Sequence, residues 1–208
     1  MNAGQARTRL AREAVLDAAA ALFLERGYAA TTMDAVSESS RVPPATVYRL
    51  FSSKLGLLRT LLDQALALEG APMESGGHSH AEVVLGEADP RRTLARFAAA
   101  ARSVLSGGAA MYQILASAAP SDPQAAALLA RYGQTRERSQ GLVTAALARR
   151  GALRPGLTER EAADVVHAIV SPEVYRLLVI SRGWTPGHFE RWLVTTLTSQ
   201  LLPEGEPQ

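Results

Sequence analysis

A chain of 208 residues, 47% hydrophobic and 20% charged, has room for one sizeable domain or two small ones and the composition of an ordinary globular protein. The absence of cysteine excludes disulfides, thiolate metal sites and thiol redox sensing. No apolar run reaches the ~18 residues of a membrane-spanning helix, and the first thirty residues mix Arg, Glu and Ala rather than forming a signal peptide, so a cytoplasmic protein without a membrane partner is expected.

The net charge of +2 argues for nothing by itself, but its distribution does. Residues 1–60 hold eight basic groups against five acidic, and the remainder fourteen against fifteen. The basic surplus sits in the first third, as the footprint for a polyanion would.

In chain order the pattern is helical throughout. Residues 7–26 place Val15, Ala18, Ala19 and Leu22 on one face, with Gly27 as a stop and Arg7 and Arg9 in a frayed arm that is either solvated, the favoured reading, or reaches a neighbouring groove. Thr31 or Thr32 caps a short helix to residue 40, with Asp34 three residues after Thr31 in capping-box register. Pro43 and Pro44 open a third helix to residue 51, and Ser52 or Ser53 caps a fourth to residue 70. Residues 70–80, which include His78 and His80, read as a loop. Helices are then expected over 90–106, 109–118, 123–151, 158–170, 172–183 and 186–202; Asp89-Pro90, Asp122-Pro123 and Thr185-Pro186 are start signals and Thr158 with Glu161 a capping box. The last residues, 203–208, form a disordered tail.

Three short helices in the first sixty residues, the second and third joined by a tight turn, have the layout of a helix-turn-helix over about residues 31–51. The run AVLDAAAALFLERGYAATTMDAVSESSRVPPATVYRLFSSKLGLL resembles the DNA-binding domain of the TetR family of repressors. The resemblance rests on Leu-Phe-x-x-x-Gly-Tyr ending the first helix, the Thr-Thr pair, Val36 and Val42 about the turn, Thr-Val-Tyr-x-x-Phe in the third helix, and Ser-Lys opening the fourth. It implies an all-α fold of about nine helices, with a DNA-binding domain at 1–60 and a helical effector-binding and dimerisation domain at 61–202. The implied protein is a homodimeric repressor of a palindromic operator, released by a small molecule.

Leu16, Leu22, Phe23, Val36, Val42, Val47, Phe51, Leu57 and Leu58 are the expected core of the first domain. The resemblance places Thr46, Tyr48 and Lys54 on the DNA backbone. Sequence readout falls to Pro44, Ala45, Thr46 and Arg49, with Arg49 able to grip a guanine edge or a phosphate. Thr32 and Arg41 complete the candidate DNA contacts. Ser40-Arg41 stands where the family often has Ala-Gly, which requires a left-handed backbone at a non-glycine residue, and Ser37 stands where a small apolar residue is commoner.

The C-terminal helices are more apolar than one monomer's surface allows, and the resemblance assigns them to a dimer interface, with Val166, Ile169, Leu177, Trp192 and Leu197 as candidates. Candidates for an effector pocket are Phe97, Arg102, Met111, Tyr112, Gln113, Tyr132 and His167, aromatic or adaptable residues with a few polar handles. No phosphate loop, nucleophile elbow or His/Asp/Glu cluster at metal-binding spacing is present, so neither an enzyme, a metal site nor a cofactor is expected. A helical interaction protein without specific DNA binding, or an activator of the same fold, are the alternatives.

Overall fold

The computed structural model describes residues 3–67 and 87–204. Among the described residues the structure is helix and turn with no strand, as the patterning predicts. The segment 70–80, with its two histidines, and the end of the tail, 205–208, lie outside the described residues.

The chain divides into two compact units. The first runs to Gln64 and includes Ala110–Ala130. In it α1 (Ala3–Ala30), α2 (Met33–Ser40), α3 (Pro44–Phe51) and the beginning of α4 (Lys54–Ala67) follow one another. Helix α1 is regular through Arg7 and Arg9 rather than frayed, aided by an Arg9–Glu13 pair one turn apart at 3.9 Å. Gly27 does interrupt it, at φ +75°, but helix resumes to Ala30. All nine residues expected in the core are buried, with Val36, Val47, Leu57 and Leu58 fully inaccessible. Burying each such side chain contributes about 1.5–3 kcal/mol, which sets how firmly α2 and α3 are held.

The second unit comprises Ala65–Ala109 and Arg131–Gln208. Its elements come from α5 (Pro90–Ala118), α6 (Pro123–Arg149), α7 (Glu159–Ile169), α8 (Pro172–Tyr175) and α9 (Pro186–Leu201). The proline and cap signals place the helix starts as expected. Asp122 accepts from the amides of Gln124 and Ala125, Thr185 from that of His188, and Thr158 and Glu161 form the reciprocal capping box. Leu94, Leu147, Val166, Phe189, Leu193 and Leu197 anchor the core, where Tyr175 meets Phe189 edge-on at 4.9 Å and bonds Ser106 at 2.9 Å.

Two expectations fail here. Residues 90–118 form one helix, not two: Gly107 and Gly108 do not break α5 but bring it close to Ala65, where a Cβ on either would stand 3.5 or 3.4 Å from the alanine methyl. Beyond Tyr175 the expected α-helix becomes a π-helical turn, Arg176–Ser181. That turn leaves Leu177 and Ile180 52% and 65% exposed.

Candidate nucleic-acid interface

The geometry of the helix-turn-helix follows from four local ties. Thr32, in extended conformation, is the cap of α2 and accepts from the Ala35 amide at 3.1 Å, so Asp34 is not in box register. Thr31 is instead buried, donating its hydroxyl to Leu22 O and Gly27 O at 3.2 and 2.8 Å. It helps to close the end of α1 by serving two of its carbonyls. Arg41 adopts the left-handed conformation its position requires (φ 56°, ψ 26°), and its amide donates to Glu38 O. Ser37 has a structural reason for not being apolar: its buried hydroxyl donates to Val42 O at 2.6 Å and ties α2 to the chain leaving the turn.

Helix α3 opens on Pro44 after Pro43, whose carbonyl accepts from Thr46 and Val47. It buries Val47 and Phe51 and turns Pro44, Ala45, Tyr48 and Arg49 to solvent, with Thr46 half-buried. Tyr48 is 48% exposed and so is not a core aromatic. Thr32 and Arg41 are exposed at either end of α2. The turn into α4 uses a second left-handed residue, Ser52 (φ 61°), and Ser53 caps α4 through the Gly56 amide at 3.1 Å. Gly56 was not singled out in the sequence. A Cβ there would lie 2.0 Å from Phe51 O, so only glycine lets α4 cross the end of α3.

Lys54 departs from its expected orientation toward DNA. Its ammonium donates to Tyr28 O at 2.6 Å and lies 4.2 Å from the Tyr28 ring centre, capping the end of α1. Burial lowers its pKa while the Asp122 carboxylate pulls it back up. The Tyr28 hydroxyl donates to Asp122 at 3.3 Å, and burial together with that carboxylate pushes its pKa up to about 12. The same carboxylate caps α6, so Lys54, Tyr28 and Asp122 form one connected polar group within the first unit.

The pocket candidates are divided between the units. Met111, Tyr112 and Gln113 belong to the first, and Phe97, Arg102, Tyr132 and His167 to the second. Arg102 is neutralised by Glu190 at 2.7 Å. His167 bonds Gln140 through Nδ1 and Arg136 through Nε2, both at 3.0 Å. Of the dimer candidates, Val166 and Leu197 are fully buried within their own unit and are corrected to core residues; their apolar spacing is the same whether a face meets a core or a partner. Leu177 is exposed, and Ile169 and Trp192 are half-buried.

An exposed α3 carrying hydroxyls and a guanidinium, opened by proline and seated on α2 by a buried core, has the geometry of a DNA-binding helix-turn-helix. Residues 15–61 match the family model for bacterial regulatory proteins of the tetR family. The HTH-type transcriptional regulator YvkB of Bacillus subtilis is 40% identical over 60 residues, 29% of this chain and only 32% of that protein. YdeS of the same organism, also an HTH-type transcriptional regulator, is 27% identical over 179 residues, 85% of this chain and 82% of its own. Among solved structures, NalD, the secondary repressor of the MexAB-OprM efflux pump in Pseudomonas aeruginosa, superimposes with a TM-score of 0.66 at 22% identity, covering 94% of this chain and 98% of NalD. SmeT, in complex with triclosan, gives 0.70 at 17% identity, covering 94% and 93%. The match to the tetR family model is confined to residues 15–61, and over nearly its whole length the chain shares the fold of NalD and SmeT. No described helix is long and apolar enough to cross a membrane.

Proposed function

We propose that the chain is a homodimeric cytoplasmic repressor that reads a palindromic DNA site through α3 and releases it when a small molecule binds the second unit. The observation that carries this is the outward face of α3: Pro44, Ala45, Tyr48 and Arg49 exposed on a helix whose other face, Val47 and Phe51, is locked in the core. Arg49 supplies the long donor for a base edge or a phosphate, Pro44 and Ala45 suit thymine methyls, and Thr46 and Tyr48 offer hydroxyls to the backbone. Lys54 contributes by fixing α4 against α1.

Dimerisation is supported by Leu177 and Ile180, large apolar side chains left in solvent by the π turn, with Trp192 half-buried. Two-fold pairing then sets the two α3 helices about 34–36 Å apart, one helical turn of DNA. Ligand release is supported by the likeness to SmeT, solved with triclosan, and repression by the likeness to NalD.

The test is competition binding of the purified protein to the DNA flanking its own gene, against random DNA, across a salt series. Site-selective binding, weakened tenfold or more by Arg49→Ala, is expected, with log affinity falling about 0.9 per phosphate contact for each decade of salt. Binding that ignores sequence and is unchanged by Arg49→Ala would instead support a helical interaction protein.

A further inference from the structure

Two cations stand next to the end of α3, Lys54 along the chain and Arg12 in space, and the structure treats them differently. Lys54 is half-buried and engaged: its ammonium donates to Tyr28 O at 2.6 Å and Ala29 O at 3.5 Å and lies against the Tyr28 ring. Turning it toward a phosphate would strip those carbonyls at the end of α1 of their donor. Arg12, on α1, is exposed, and its guanidinium carbon lies 4.9 Å from the centre of the Phe51 ring. It has no acidic partner within 4 Å among the described residues, and Glu13, beside it in the chain, pairs with Arg9.

Phe51 closes α3 and is buried, but it lies three residues after the exposed Tyr48. Residues three apart are neighbours on a helix, about 60° apart around its axis. The Arg12 guanidinium therefore sits on the flank of α3, where the buried face gives way to the outward one. Stacking on a ring engages the face of a guanidinium and leaves its N–H edge for another partner. A helix in the major groove is bordered by phosphates, so a cation on its flank meets backbone rather than base edges.

We propose that Arg12, held on Phe51, is the cation that pairs with a DNA phosphate beside α3, and that Lys54, which the sequence resemblance puts on the backbone, makes no such contact. The ring holds the guanidinium in place before DNA arrives, so less side-chain freedom is lost on binding. The contact positions α3 and carries no sequence information. It rests on the DNA-reading role proposed above and adds the residue that anchors that helix.

The test is DNA binding by the full chain across a salt series, on two duplexes of equal length: DNA flanking its own gene, and random sequence. Arg12→Met keeps a long apolar side chain over Phe51 and removes the charge. It should lower the slope of log affinity against log salt by about 0.9 on both duplexes, leaving the ratio of the two affinities unchanged. Arg12→Lys should restore the slope, and Arg49→Ala should instead reduce the ratio. Lys54→Met should melt lower than the parent protein while keeping its slope. A parental slope in Arg12→Met, a loss confined to one duplex, a slope that Arg12→Lys fails to restore, or a drop in slope in Lys54→Met would each overturn the proposal. The two readings fail separately: a parent protein with no preference between the duplexes removes the repressor, while the Arg12 contact is still read on random DNA. A kept preference with an unchanged Arg12→Met slope removes only Arg12, and no binding to either duplex removes both.

Discussion

Helices α3 and α6 spend their polar residues in opposite ways. On α3 the guanidinium and the phenol face water, where hydration satisfies them until a partner arrives. On α6 the polar side chains of Arg136 and Gln140 face inward, where they bond His167 and Val170 O rather than water. An outward polar face costs nothing while idle and suits a wet, charged partner such as DNA. An inward one must be satisfied within the protein, because a buried donor left unpaired costs stability.

Several substitutions break or sharpen that contrast. The largest effect is expected from Phe23→Ala, which empties a fully packed site beneath the helix-turn-helix; a loss of about 3–5 kcal/mol should appear in urea unfolding, with DNA binding lost in parallel. Gly56→Ala forces a methyl into Phe51 O and should cost about 1–3 kcal/mol in the same assay while lowering DNA affinity, because α3 must shift to admit it. Arg49→Ala should leave the unfolding curve in place and reduce specific DNA affinity by about 1–3 kcal/mol, the signature of a side chain whose only partner is outside the protein. Thr32→Ala removes the α2 cap and should cost about 1 kcal/mol, measured by unfolding.

The smallest effect is one of pH. Tyr28 titrates at about 12 in the folded chain against 10.0 in the unfolded one, so folding favours its protonated form. That contribution is complete below pH 10 and disappears as pH rises from 10 toward 12. Unfolding at pH 9 and pH 11 should show the parent protein losing more stability than Tyr28→Phe across that interval. An equal loss in both would remove Tyr28 from the polar group that ties α1, α4 and α6.

Much of this was legible because it is local. Pro44 after Pro43, the Thr158–Glu161 box and the Asp-Pro pairs are signals that act within four residues, and the structure uses each as written. The nine core residues of the first unit were legible because their spacing left them no other face. Several of the misses depend on a distant neighbour. Gly107-Gly108 reads as a break until Ala65 is set against it. Lys54 reads as an outward cation until the end of α1 offers it carbonyls. Val166 and Leu197 share the apolar spacing of an interface, and only the fold shows that their own unit already covers them. Arg136 reads as solvated on a long helix until His167 and Val170 O are set against it.

The most direct test of the central claim, that α3 is a sequence-reading helix, is selection from a randomised DNA library by the intact protein without added ligand. An inverted repeat with half-site centres about 10–10.5 base pairs apart, or a multiple of that, is expected, and Arg49→Ala should fail to enrich it. A library that emerges without any enriched motif would contradict the claim.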